Sequence, residues 1–299
     1  MLEYLAYGLN ILVGLSLIYV FFRTVKGRPI GRRIVFLYIA IAVISPLFMN
    51  LVAPLPDTDE VQKLYRSIQT LSPGSKVLCS FDYDPQSAPE LQPMAVAFLK
   101  YAFKHDFKII IMGLWPAGPQ QANQAIAVAL ADTEIAAKNL QYGTDYVNLG
   151  FQSGNEFVIQ SMGNNFKQMF PSDDRRTPYD QIPILQNVVN FSNIDFVMDF
   201  SSGKPGSKEW VQIAVDRFGA KVGAGNTAVQ APEMYPYLRA GQLQGLMGGM
   251  TGAAEFEKTL KEPGKASTFL LSQMFGHATV IMLIIIGNVA YFTTRRKSV

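Results

Sequence analysis

Cysteine, histidine and tryptophan are scarce in this 299-residue chain: one, two and two. With Cys79 as the sole cysteine, no intrachain disulfide can form. Cys79 sits in the apolar run Lys76–Phe81 and reads as a small buried hydrophobe. His105 and His277 are far apart in sequence, which excludes a zinc site of cysteines and histidines and a Cys–His nucleophile. His105 falls at a helix end, where a positive side chain suits the dipole; a Ser–His–Asp triad would have to recruit it. Charge is thin as well. Charged residues make up 16% of the chain and the net charge is only +3. Much of the positive part flanks apolar segments, so no basic face is left for nucleic acid.

Charge of either sign is missing altogether from three long apolar stretches. They run from Tyr4 to Phe22, from Ile34 to Pro56, and within Ala266–Thr294. Each is long enough to cross a hydrocarbon core of ~30 Å at ~1.5 Å per residue. The loop between the first two carries Arg23, Lys26, Arg28, Arg32 and Arg33 and no acid. The chain after the third reads Arg295-Arg296-Lys297. Short basic loops stay in the cytoplasm. Both clusters give one topology: N-terminus outside, basic loop inside, the large central segment outside, C-terminus inside. The first stretch lacks the basic start and small-residue cleavage site of a signal peptide. Pro46 and Asn50 in the second, and Gln273, His277 and Asn288 in the third, are imperfect for lipid but tolerable among helices. The expected organisation is therefore 1–56, two transmembrane helices; 57–264, an extracytoplasmic domain; 265–299, a third transmembrane helix and basic tail. A domain outside the cytoplasm without disulfides fits a prokaryotic inner membrane better than a eukaryotic secretory route.

The central segment alternates strand and helix signals. Lys76–Phe81, Phe107–Met112, Asp145–Phe151, Ile194–Phe200 and Ala220–Ala224 read as five short apolar strands. Between them Glu90–His105, Gln120–Leu140, Phe157–Phe170 and Ser207–Phe218 read as helices, the last stopped by Gly219. Pro232–Leu260 reads as mostly helical, and Leu55–Leu71 as an amphipathic connector. Such alternation predicts a three-layer α/β domain with a mainly parallel, doubly wound sheet, flavodoxin- or Rossmann-like.

In open parallel sheets ligands bind at the carboxyl ends of the strands. Those ends are polar or glycine-rich here, which nominates Trp115, Ser153, Glu156, Ser201, Ser202, Asn226 and Thr227 for ligand binding. Asp82 and Asp84 close the first strand and Asp199 the fourth; they are the candidate catalytic carboxylates. Phe81-Asp82-Tyr83-Asp84 resembles the Asp-x-Asp that opens the haloacid-dehalogenase phosphatases. That resemblance implies a nucleophilic carboxylate, a second acid-base carboxylate and Mg2+, with Ser201 or Ser202 and Lys204 on the phosphate. Gln86 stands where that family has another residue, and the competing reading is a turn or helix cap. Gly223–Ala228 lacks the spacing of a dinucleotide fingerprint, and Gly203–Ser207 lacks that of a P-loop. No metal or cofactor is expected outside the phosphatase reading.

Gly241, Gly245, Gly248, Gly249 and Gly252 recur at spacings that would form a smooth stripe on a helix. The stripe would pack on the domain's own sheet or dock against another protein or membrane helix, with Met247 and Met250 adding adaptable area. Gly8, Asn10 and Gly14, with Asn288, point to helix–helix contacts in the bilayer. The expected role is a binding or assembly subunit of an envelope membrane complex, its partners being lipid and other membrane proteins in an oligomer or heteromer. The alternative is a membrane-anchored metal-dependent hydrolase using Asp82 and Asp84.

Overall fold

The computed structural model describes residues 2–26, 28, 30–48 and 54–295. In chain order it holds α1 (Leu2–Val25), α2 (Arg32–Ile44), α3 (Asp59–Gln69), β1 (Lys76–Asp82), α4 (Ala88–Lys104), β2 (Lys108–Gly113) and α5 (Gly118–Leu130). Then come α6 (Thr133–Ala136), β3 (Tyr146–Phe151), α7 (Glu156–Met162), α8 (Phe166–Met169), β4 (Phe196–Ser201) and α9 (Ser207–Trp210). A π turn over Val211–Val215 leads into α10 (Asp216–Phe218). The chain closes with β5 (Val222–Asn226), α11 (Ala231–Arg239), β6 (Leu243–Gly248), α12 (Gly249–Leu260) and α13 (Lys265–Arg295). Two compact units result: Met1–Pro54 with Ser267–Val299, and Leu55–Ala266.

The second unit is a three-layer α/β domain. Its six strands are all parallel, in the order β3-β2-β1-β4-β5-β6. This is the doubly wound order in which strand direction of travel reverses between β1 and β4. The central strands are buried on both faces, as parallel strands covered by helices must be. Trp210, Phe81, Phe98, Phe196 and Phe200 are among the largest fully buried side chains. Gly219 stops α10 in the left-handed conformation at φ 68°, as its sequence position predicts.

The sixth strand overturns one expectation. Gly241–Gly252 is not a helical stripe: Gly241 turns the chain at φ 75°, Gly245 and Gly248 lie in β6, and Gly249 and Gly252 open α12. Spacings of three and four imitate a helix, but Gly245, Gly248, Gly249 and Gly252 meet close approaches within the domain, and Gly241 has open space where a Cβ would stand. A Cβ on Gly245 would lie 2.2 Å from the backbone nitrogen of Leu64, where α3 crosses the sheet. One on Gly252 would lie 2.9 Å from the Met247 backbone. The stripe thus serves the domain's own packing. Likewise Phe157–Phe170 divides into α7 and α8 instead of forming one helix.

α3 earns its place by amphipathy: Val61, Leu64 and Ile68 are buried on one face. Both ends of the domain are tied to α12. Glu255 accepts from the Thr58 backbone N–H and hydroxyl at the start of α3. Lys258 donates to the Leu55 carbonyl at 2.6 Å and pairs with Asp57. Glu257 accepts from the backbone N–H groups of Gly264 and Ala266, each at 3.0 Å.

In the helical unit, Val13, Leu17 and Val20 of α1 pack with Ile286 of α13, flanked by Tyr38 and Ile41 of α2. Among the described residues one helix, Lys265–Thr293, is long and apolar enough to cross a membrane; Ile11–Val25 is a shorter apolar helix. Residues 49–53 of the second apolar stretch, with Asn50, and Arg296 and Lys297 of the basic tail lie outside the described residues. Asn288 donates to the Ile284 carbonyl of its own helix.

Candidate functional site

The carboxyl ends of β1 and β4 place Asp82 and Asp199 side by side. Strand pairing sets Ser80 opposite Asp199 and Asp82 opposite Ser201. Both aspartates are fully buried. Asp82 Oδ1 accepts from the Leu114 N–H at 2.7 Å; its Oδ2 accepts from the Ser80 hydroxyl at 2.8 Å and the Trp210 indole N–H at 3.0 Å. Asp199 Oδ2 accepts from the Ser207 hydroxyl. Its Oδ1 meets no N–H or O–H donor among the described residues, and the two carboxyls lie close enough for each to shift the other's pKa.

Two buried carboxylates in contact cannot both be ionised, so one proton is shared. Burial, then the Asp82 charge, hold Asp199 well above the usual carboxylate range. Burial also raises Asp82, but Asp199, Leu114, Trp210 and Ser80 all stabilise its anion. Burial and the neighbouring Asp82 charge thus favour the neutral form at Asp199, the carboxyl with fewer donors. Three donors suit an anion at Asp82, so the pair stands as a neutral-plus-anion unit.

The polar cluster continues along the strand ends. Asn226 donates to Ser207 Oγ at 2.8 Å and to the Ser201 carbonyl at 3.2 Å. Gln230 donates to the Gly203 carbonyl at 3.1 Å. Ser201, Asn226 and Thr227 are all buried. They hold the loop after β4 against the start of α11.

Above β1 the rim is bridged by its own chain. β1 lies between β2 and β4. Trp115, in the loop after β2, donates its indole N–H at 2.8 Å to the Pro205 carbonyl in the loop after β4. A Cβ on Gly203 would be in van der Waals contact with the same indole at 3.4 Å. The crevice where strand order reverses is thus bridged by the Trp115–Pro205 hydrogen bond between the loops after β2 and β4. The open space is displaced sideways into a cavity of about 280 Å3, lined by Leu114, Trp115, Pro116, Phe151, Ser153, Asn155, Lys204 and Pro205.

Of the residues nominated from sequence, Trp115 and Ser153 line this cavity. Glu156 is exposed at the start of α7, beside it in sequence. Ser202 is half-buried and donates its N–H to the Asp82 carbonyl. Asp84 is half-exposed and accepts the Gln86 N–H at 3.0 Å, the Asx-type turn its position before Pro85 suggests. Asp84 is not among the partners of the Asp82–Asp199 pair. Among the described residues no three of His, Cys, Asp and Glu gather as a metal site. His105 is exposed at the end of α4, donating Nδ1–H to the Tyr101 carbonyl and stacking on the Tyr101 ring. Cys79 is fully buried, and burial pushes its thiol pKa up.

Sequence reasoning missed Trp210, Ser207 and Gln230 as the partners of the strand-end polar groups, since their hydrogen bonds cross the fold. It missed Phe151 and Asn155 as cavity residues. Asn155 holds φ 50° and ψ −124°, a conformation normally left to glycine. Gly150 and Gly154 in the same loop, at φ 89° and 136°, are the readable trace of that bend. No family model matches this chain, and no curated protein matches it.

Proposed function

We propose that this chain is a multi-pass membrane protein whose α/β domain works as a binding or assembly subunit on the extracytoplasmic face of a prokaryotic inner membrane. In this reading α1, α2 with the residues after it, and α13 all cross the bilayer, with the Arg23–Arg33 loop in the cytoplasm. The outward side chains support it: Leu15, Ile18, Phe36, Leu37, Ile281 and Ile284 are all exposed. An apolar exterior of that extent belongs in lipid.

The observation that carries the binding role is the contrast at the strand ends. The carboxylates that could do chemistry are fully buried and Asp82 is held by three donors, while a cavity with aromatic walls stays open beside them. Phe157, two-thirds exposed next to that cavity, adds the apolar anchor typical of a docking surface. Nucleophilic attack by Asp82 would require it to give up three donors, so nothing in the geometry favours the hydrolase alternative.

Ser153→Cys in a Cys79→Ala background tests the topology. A membrane-impermeant maleimide should label it in intact spheroplasts; labelling only after lysis would reverse the orientation. Gentle detergent extraction should yield a particle larger than one chain, and Phe157→Ser should reduce its size. A monomer insensitive to that change would remove the assembly role.

A further inference from the structure

We infer that the rim cavity beside Trp115 is a binding site for a small anion carried on an apolar ring, with Lys204 as its charge partner. The inference rests on the rim-binding reading and gives it a ligand class. Three loops build the cavity: Leu114–Pro116 after β2, Phe151–Asn155 after β3, and Lys204–Pro205 after β4. Its walls divide by chemistry. Leu114, Trp115, Pro116, Phe151 and Pro205 offer rings and methyls; Ser153 and Asn155 offer a hydroxyl and an amide.

Lys204 is the sole charged residue among those lining it. It is exposed and has no ion pair among the described residues. Several other lysines of the domain are engaged, among them Lys76 with the Gln186 carbonyl, Lys100 with Asp132 and Lys108 with Asp145. Lys208, Lys221 and Lys261, like Lys204, have no ion pair among the described residues, but they do not line this cavity. A free ammonium at the mouth of an aromatic-walled cavity selects a carboxylate or phosphate on the ligand.

Size limits the rest. Drug-sized sites span about 300–1,000 Å3, and this one, at about 280 Å3, admits one ring bearing one anionic group. The indole is already fixed at one edge: its N–H is committed to the Pro205 carbonyl. A pre-positioned ring does not have to lose rotamer freedom when a second ring packs on it. The loop bend at Asn155 is held against its own conformational preference, a cost that tends to concentrate where a binding surface is shaped in advance.

The test uses the full chain in detergent micelles with 15N-labelled tryptophan. Trp115 and Trp210 give two indole signals, assigned by Trp115→Phe. Benzoate and phenyl phosphate should shift the Trp115 signal saturably and leave Trp210, bonded to buried Asp82, in place. Benzyl alcohol should bind more weakly. Lys204→Met should weaken benzoate about fivefold, the upper end for an exposed ion pair, and leave benzyl alcohol unchanged. No saturable shift of Trp115, equal affinity for benzoate and benzyl alcohol, or an unchanged affinity in Lys204→Met would each overturn the assignment. The measurement needs no partner protein, so its failure is separable from a failure of the topology or assembly tests.

Discussion

The helical unit and the α/β domain solve opposite problems with the same kinds of side chain. In the domain, apolar residues face inward and the exceptions are few: Val128, Phe151, Phe157, Val189, Val229 and Tyr235 are its exposed large hydrophobics. In the helical unit the exposed set runs along all three helices, while the buried apolar side chains of those helices within the unit, among the described residues, are Val13, Leu17, Val20, Ala42, Leu270, Leu271, Ile286 and Ala290. The domain is held together by water's exclusion from its centre. The helical unit's apolar exterior is what the proposed placement in lipid would require. Glycine shows the contrast at single positions, although Gly276 of α13 is close-packed too, since a Cβ there would stand 3.0 Å from Val43. Gly245 is wedged against backbone, whereas Gly287, in α13, has nothing within 4 Å of where a Cβ would stand.

The sharpest way to break this comparison is to place a charge on each surface. Ile284→Lys should cost membrane insertion about 3 kcal/mol, seen as loss of the chain from the membrane fraction. Val229→Lys, on the most exposed of the domain's apolar side chains, should change domain stability by no more than about 0.5 kcal/mol. Equal, small effects would mean that the helices do not face lipid.

Overpacking comes next. Gly245→Leu should destabilise the domain by about 2–3 kcal/mol, because the side chain must displace the α3 backbone. Gly287→Leu should leave its stability unchanged. Chemical denaturation of both variants decides whether the two positions differ as their surroundings do.

The carboxylate pair sharpens the picture of the domain interior. Asp82→Asn removes a charge that three donors address and should cost about 2 kcal/mol. Asp199→Asn keeps a donor toward Asp82 and an acceptor for Ser207, and should be close to neutral. If the two variants were equally destabilised, the proton would not sit on Asp199.

A smaller effect follows with pH. A carboxyl whose folded pKa is raised contributes stability that is full below its unfolded pKa and is lost as pH rises through the folded one. Asp199 is raised well above its ordinary value, and Glu255 is raised too, mainly by burial. Asp132 and Asp145 are shifted down by their lysine partners and backbone N–H donors, against burial, so they are fully ionised across that window. The melting temperature should therefore fall from mildly acid to alkaline pH, and Asp199→Asn should flatten the slope.

Much of the fold was legible in the sequence because parallel strands buried on both faces leave short continuous apolar runs. Lys76–Phe81 and Phe107–Met112 match β1 and β2 almost residue for residue. β6 was not legible, since Leu243–Gly248 carries three residues that are glycine or glutamine at helical spacings, and its strand character comes from β5 and α3 on either side. The strand-end polar groups could be named, but not the burial that distinguishes Asp82 from Asp84. That distinction is made by Leu114 and Trp210, which donate to Asp82 from elements far along the chain and are unreadable by pattern.

The ties of α12 have a mechanical consequence. The chain enters the domain through Leu55, Asp57 and Thr58, held by Lys258 and Glu255. It leaves through Gly264 and Ala266, held by Glu257. Those three side chains span one turn of one helix. A tug on either end of the domain is therefore met at α12, which follows β6 without a break, so the load enters the sheet at its β6 edge. The strands that carry Asp82 and Asp199, β1 and β4, lie inside that edge.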